Sequence, residues 1–219
     1  MMIISSKKRY DLPESNMDVD HSGKNLLFAG VGGQGILLVS ELAARAAIHA
    51  GFDAKKTEVH GAAQRGGSVV SHVRFGPKVY SPLSPAGEVD ILLSLEQLEG
   101  LRWAHYVREG GLIVLNDEIR VPARLTDKSV EYPQNIEQFL TNKGYRVVCL
   151  DANSVATGLG TYRAANTVLL GAMANQTGIE DDHWKAVMKE SLNPKILDLN
   201  IRAFEKGREL VRVYHQNAP

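Results

Sequence analysis

An α/β fold, built on a doubly wound and mostly parallel sheet with C-terminal helices, is what this 219-residue sequence predicts. Three observations lead there. Short apolar runs alternate with helix-like stretches from Asn25 to Asp151, a glycine-rich turn separates the first run from the first helix, and everything from Ser154 onward reads as helix.

The elements follow in order. "NLLFAGV" (25–31) is a short apolar run with a glycine stop, suited to a strand buried on both faces, and "ILLVSELAARAAIHAG" (36–51) continues as a helix closed by Gly51. "DAKKTEV" (53–59) and "SVVSHVRF" (68–75) read as strands flanking the loop "HGAAQRGG". Pro82, Pro85 and Gly87 mark residues 80–88 as loop, after which "VDILLSL" (89–95) is a strand and "EQLEGLRWAHYVREGG" (96–111) its helix. "LIVLND" (112–117) is a strand, "PQNIEQFLTNKG" (133–144) a helix and "YRVVCLD" (145–151) the last strand. Three helical segments complete the chain, over 164–178, 181–192 and 194–214, the last with Leu197, Ile201, Phe204 and Val211 near one face. Residues 1–23 are polar, show no apolar period and read as a flexible tail, leaving 24–219 as a single domain.

Composition narrows the function. The 25 basic and 25 acidic residues balance without runs of like charge, so neither nucleic acid nor an anionic membrane is an expected partner. No apolar stretch is long enough to span a membrane and the N-terminus lacks a signal-peptide centre, which predicts a cytoplasmic protein. Cys149 is the only cysteine, so an internal disulfide and a cysteine-ligated zinc site or iron–sulfur cluster are excluded for this chain, and no metal site is expected; its plain reading is a small buried hydrophobe.

Gly30, Gly32 and Gly35 satisfy G-x-G-x-x-G between strand and helix, a Rossmann-like pattern, and with Gly33 and Gln34 they form a candidate cofactor-binding loop whose N–H groups face a helix N-terminus. A tight turn with no ligand explains the same glycines. A dinucleotide site needs an acidic residue at the end of the next strand. Only Glu58 qualifies, a few positions late, and a second glycine-rich loop follows it. In that loop Arg65, beside Gly66, Gly67 and Ser68, can offer a cation next to free N–H groups, while His60 and Gln64 can donate to a carbonyl or enolate-like oxygen. An interface salt bridge for Arg65 and a strand-end cap for His60 are the alternatives. Glu96 lies at a strand end, where open sheets place ligand contacts, or else it is the acid at the head of the following helix. His72 and Arg74 share a face expected to be solvated or an interface, and Trp103 and Tyr106 read as core.

"GVGGQG", "TEVHGAAQRGGSVVSHVRFG", "SPLSPAGEVDILLSLEQLEGLR" and "ANTVLLGA" together resemble the γ-type subunit of the 2-oxoacid:ferredoxin oxidoreductases, and within that family the indolepyruvate branch. The likeness covers roughly residues 24–210. It implies a non-cluster subunit of an enzyme that decarboxylates a 2-oxoacid on thiamine diphosphate, passes two electrons through iron–sulfur clusters to ferredoxin and releases an acyl-CoA. Thiamine diphosphate, Mg and the clusters are then expected in a large partner subunit, with CoA as co-substrate, an arylpyruvate such as indolepyruvate as substrate, and His60, Gln64 and Arg65 as contributors to a shared site. A free-standing dinucleotide-binding protein or NAD-dependent dehydrogenase domain is the alternative, and a stand-alone relative that has lost its partner is a third.

Overall fold

A computed structural model describes residues 23–60, 66–120 and 131–216. The expected tail lies outside the described residues except for Gly23. Six strands form one sheet: β1 (Lys24–Val31), β2 (Asp53–His60), β3 (Ser68–Gly76), β4 (Val89–Ser94), β5 (Val107–Asn116) and β6 (Arg146–Leu150), in the order β2-β3-β1-β4-β5-β6. The helices are α1 (Ile36–His49), α2 (Gln97–Trp103), α3 (Ile136–Asn142), α4 (Ala152–Gly158), α5 (Ala165–Ala174), α6 (Asp181–Ser191) and α7 (Pro194–Gln216).

Strand alternation sets the layers. Leu26 and Phe28 of β1 face a core shared with α1, α4, α5, α6 and α7, while Leu27 and Ala29 face a smaller core with α2 and α3. The sheet is therefore doubly wound, as the sequence predicts. α1 lies flat on it because Ile36, Val39, Leu42, Ala43, Ala46 and Ala47 recur at helical spacing and the alanines let its backbone come close.

β3 is the one strand that runs against the rest, antiparallel to both β1 and β2. Only residues 61–67 separate it from β2, too short a connection for the parallel crossover, which needs about a dozen residues or more. The helix expected over 96–111 is also shorter than its sequence suggests. It ends at Trp103, a 3-10 turn occupies Ala104–Tyr106, and β5 already begins at Val107. Val89 pairs with Val107 and Ile91 with Leu112, so the intervening residues bulge, with Gly110 at φ 65°. α4 is an element the sequence reading did not separate; Asp151 caps it, accepting from Ser154 N–H at 2.9 Å.

α5 is buried along its whole length. It crosses α7 at backbone distance: a Cβ on Gly171 would sit 2.0 Å from the Phe204 carbonyl oxygen, and one on Gly207 would sit 1.8 Å from the Val168 carbonyl oxygen. On the far side of the sheet, residues 77–88 form a strap. Asp53 accepts from Val79 N–H (2.9 Å), Arg74 donates to the carbonyls of Ser81 and Leu83, and His72 Nδ1 accepts from Ser84 N–H at 3.3 Å. The expected open face for His72 is thus closed: the ring is 3% exposed, and burial pushes its pKa down to about 4.

Two predictions follow from this packing. Between pH 6.5 and 4 the unfolded chain protonates His72 and the folded chain does not, so stability falls as pH drops through that window. Urea titrations should show a loss of about 2–3 kcal/mol between pH 7 and pH 4.5 from this ring, and His72→Gln, which keeps an acceptor for Ser84, should remove that part of the slope. Gly207→Ala should cost about 2–3 kcal/mol in the same assay, because helices in backbone contact cannot admit a methyl group without separating.

Candidate functional site

The turn after β1 is shaped by its own side chain. Gln34 Oε1 accepts from Val31 N–H at 2.7 Å, and its Nε2 donates to the Leu95 carbonyl and to Glu118 Oε2, both at 3.0 Å. One amide thereby ties together the ends of β1, β4 and β5. Gly30 is required beside it, since a Cβ there would meet Ile36 Cδ1 at 2.7 Å and Gln34 Oε1 at 2.8 Å. Gly35, at φ 86°, caps α1 in the left-handed region and leaves 2.3 Å between its ideal Cβ position and Asn166 Nδ2.

The two glycine-rich loops meet. Gly32 N–H donates to the Gly67 carbonyl at 2.8 Å and Gly66 N–H reaches the Gly32 carbonyl at 3.5 Å, which continues the β1–β3 ladder beyond its Val31–Ser68 pair. The Gly32 N–H, one of the donors the motif offers to an anion, is therefore spent within the fold. Gly33 and Gly35 instead line a cleft of about 440 Å³.

That cleft opens at the C-terminal ends of β1, β4 and β5, where the chain winds one way through α1 and the other way through α2, the position at which open α/β sheets receive ligands. Its walls are polar. Asn116, 1% exposed, donates to Glu118 and accepts from Ala152 N–H; Glu118 accepts from Arg120 Nε as well as from Gln34; Arg163 and Asn166 complete the opposite side. The two guanidinium groups and the Asn166 amide suit a carboxylate or phosphate. On the other side of the same loop, Ile36, Leu37, Leu38 and Val69 line an apolar groove of about 450 Å³. The loop is thus a shared wall between a polar and an apolar recess. Sequence reasoning did not single out Asn116, Glu118, Arg120, Arg163 or Asn166; "NDEIR" directly after a parallel strand is the signal that could have found the first three.

Ser68 opens β3 with its hydroxyl donating to the buried Glu99 of α2, and Trp103 Nε1 lies 3.5 Å from the same oxygen. Glu96 is 1% exposed and heads α2: it accepts from Glu99 N–H (2.8 Å), from Arg120 N–H (3.1 Å) and from the Tyr132 hydroxyl (2.5 Å). Of its two sequence readings the structure displays the helix cap. Burial and the Glu96 acceptor hold the Tyr132 hydroxyl well above its ordinary pKa. His60 closes β2 as backbone, with its side chain outside the described residues, and Gln64 and Arg65 also lie outside them.

Glu58 pairs with Lys56 at 2.7 Å on β2, and β3 stands between that strand and β1. A dinucleotide ribose held at the first loop would need this acid on the neighbouring strand. Cys149 is half-buried, its thiol pushed up to about 12 chiefly by burial, with Glu137 and Asp117 adding to it. Among the described residues no three His, Cys, Asp or Glu side chains are grouped to hold a metal, and no helix is long and apolar enough to cross a membrane.

Comparison with known proteins agrees over nearly the whole described chain. The family model for pyruvate ferredoxin/flavodoxin oxidoreductase matches residues 25–210. Indolepyruvate oxidoreductase subunit IorB of Thermococcus kodakarensis is 37% identical over 188 residues, covering 84% of this chain and 93% of that protein. Ketoisovalerate oxidoreductase subunit VorA of Methanothermobacter thermautotrophicus is 29% identical over 92% of this chain, which corresponds to 39% of that longer protein. The crystal structure of a keto/oxoacid ferredoxin oxidoreductase γ subunit from Geobacter sulfurreducens shares the fold, with a TM-score of 0.67 at 24% identity, covering 87% of this chain and 99% of that one.

The first loop yields a paired prediction. Gly35→Ala should lower unfolding free energy by about 3 kcal/mol, since strain at positive φ adds to the collision with Asn166. Gly33→Ala, at φ 103° but in open space, should cost about 1 kcal/mol. Equal losses would mean that Asn166 yields freely.

Proposed function

The chain belongs to the pyruvate ferredoxin/flavodoxin oxidoreductase family, and on that premise we propose that it is the cluster-free, γ-type subunit of an oxidoreductase that converts indolepyruvate or another arylpyruvate, with CoA, to acyl-CoA and CO2. Ferredoxin takes the two electrons. A large partner subunit carries thiamine diphosphate, Mg and the iron–sulfur clusters. Cys149 is the only cysteine in the sequence, so the thiolates that hold a cluster have to come from another chain. Where the partner binds it, thiamine diphosphate supplies the electron sink on which a 2-oxoacid loses CO2.

The observation that carries this reading is the joint between the two glycine-rich loops, Gly32 N–H to Gly67 carbonyl. It joins two of the four sequence segments that the family likeness rests on. Around it, Arg163 and the Glu118-paired Arg120 offer guanidinium groups to a carboxylate or to a CoA phosphate, with Asn166 adding a neutral donor and the apolar recess taking hydrocarbon. His60, Gln64 and Arg65 of the second loop are proposed contributors to that shared site, and Gly66, Gly67 and Ser68 carry the chain from the loop into β3. Glu96 supports the cleft from beneath by holding the Arg120 backbone.

Co-expression with the thiamine- and cluster-bearing subunit, followed by anaerobic purification, tests it. The expected product is a brown complex that reduces ferredoxin or a viologen dye only when both an arylpyruvate and CoA are present. The lone chain should show no turnover. In the complex, Arg120→Ala or Arg163→Ala should raise the KM for CoA or for the 2-oxoacid about tenfold or more, the size of one lost charge-assisted hydrogen bond. Turnover by this chain alone, or a colourless chain that stays single and binds NAD(H), would overturn the reading.

A further inference from the structure

We propose that Thr167 and Asn200 are positioning residues for the cleft: a buried polar chain that starts on α7 holds the Asn166 amide with its nitrogen turned to the ligand, so that this wall selects anionic oxygen. The inference rests on the ligand reading of the cleft given above.

α5 is apolar from Val168 to Ala174, yet it opens with two polar side chains, Asn166 at 7% exposure and Thr167 at 0%. Burying such groups lowers stability unless each finds a partner. Here the partners form a chain. On α7, Asn200 donates through Nδ2 to the Ile196 carbonyl at 2.8 Å, which leaves its Oδ1 to accept the Thr167 hydroxyl, also at 2.8 Å. The same hydroxyl lies 3.2 Å from Asn166 Oδ1. A threonine inside a helix ordinarily turns its hydroxyl back to a carbonyl one turn earlier. Asn200 draws this one across to α7 instead, within reach of both side-chain oxygens.

The Asn166 amide thereby acquires a direction. Its oxygen is engaged inside the fold and its nitrogen lies against Gly35, where an ideal Cβ would sit 2.3 Å from Nδ2. Among the described residues nothing accepts from that nitrogen. Gly35 and Asn166 both line the cleft, so the unengaged donor belongs to its wall, and the third glycine of the first loop leaves room for it. Gln34 and Asn116 differ, since both ends of their amides are bonded within the fold. Arg163, on the same wall, is a donor only. An amide that presents only its N–H groups favours a ligand that accepts, and anionic oxygen accepts most strongly. Turned around, the same amide would set its carbonyl against the incoming charge. The carboxylate of a 2-oxoacid and a phosphate of CoA share this chemistry.

Nuclear magnetic resonance on the full chain, isotope-labelled in nitrogen, reads the amide directly. The side-chain NH2 pair that Asn166→Asp removes should shift on titration with inorganic pyrophosphate or with phenylpyruvate, and the anion that moves it tells phosphate from carboxylate. Thr167→Val, similar in shape but without the hydroxyl, should move that pair before any anion is added and weaken binding about fivefold, the size of one neutral hydrogen bond. Asn200→Leu should act in the same direction by releasing the hydroxyl to its own helix, and Thr167→Ser should restore wild-type affinity. In the assembled complex Thr167→Val should raise the KM for the matching substrate and leave kcat in place, a split that general loosening of α5 would not produce. Wild-type affinity in Thr167→Val, or an NH2 pair that stays still while the anion binds, would overturn the positioning role and leave the cleft as an anion site. If neither anion binds the unmodified chain, the ligand reading of the cleft falls, and the proposal with it.

Discussion

The antiparallel course of β3 is the constraint from which the rest of this structure follows. By returning between β1 and β2, it places Gly66 and Gly67 against Gly32 and converts two separate glycine-rich segments into one backbone-paired platform. A parallel strand could not do so, because its connection would arrive at the opposite edge of the sheet. The same insertion moves β2 to the sheet's rim and takes Glu58 away from the first loop. A motif that in other open sheets prepares a ribose site is thereby turned to a different use.

Around that platform, polar groups are spent on shape before any are offered to a ligand. Gln34 uses both ends of its amide internally, Asn116 bridges Glu118 and the start of α4, and Glu96 and Glu99 fix a helix head, a hydroxyl and a loop. Buried carboxyl and amide groups so fully engaged hold their neighbours in one arrangement, and a single broken contact leaves a costly orphan. Arg120 is held in this frame by its backbone N–H to Glu96 and its side chain to Glu118.

The sequence made much of this legible. Strands buried on both faces, an alanine-rich helix and a glycine-marked turn specify the two layers, because periodicity and turn chemistry are local. What escaped was set by pairing at a distance. Nothing within "SVVSHVRF" states which way it runs; the shortness of residues 61–67 does, once parallel crossovers are weighed against it. His72 looks like one member of an exposed alternating face, and the strap from residues 77–88 and the Tyr106 ring bury it. The early start of β5 depends on two glycines permitting a bulge within what reads as helix. Of the site, the two loops announce themselves by glycine content, whereas Asn116, Glu118, Arg163 and Asn166 are ordinary surface letters until the sheet gathers their strand and helix ends into one cleft.

The crossing of α5 and α7 has a mechanical meaning. Gly171 and Gly207 remove the side-chain layer that ordinarily separates two helices, so the pair meets carbonyl to backbone and has no compliant material between its members. Such a joint transmits displacement instead of absorbing it. Asn166 stands at the head of α5, against the first loop, so the cleft and the long C-terminal helix are joined through one closely packed helix pair.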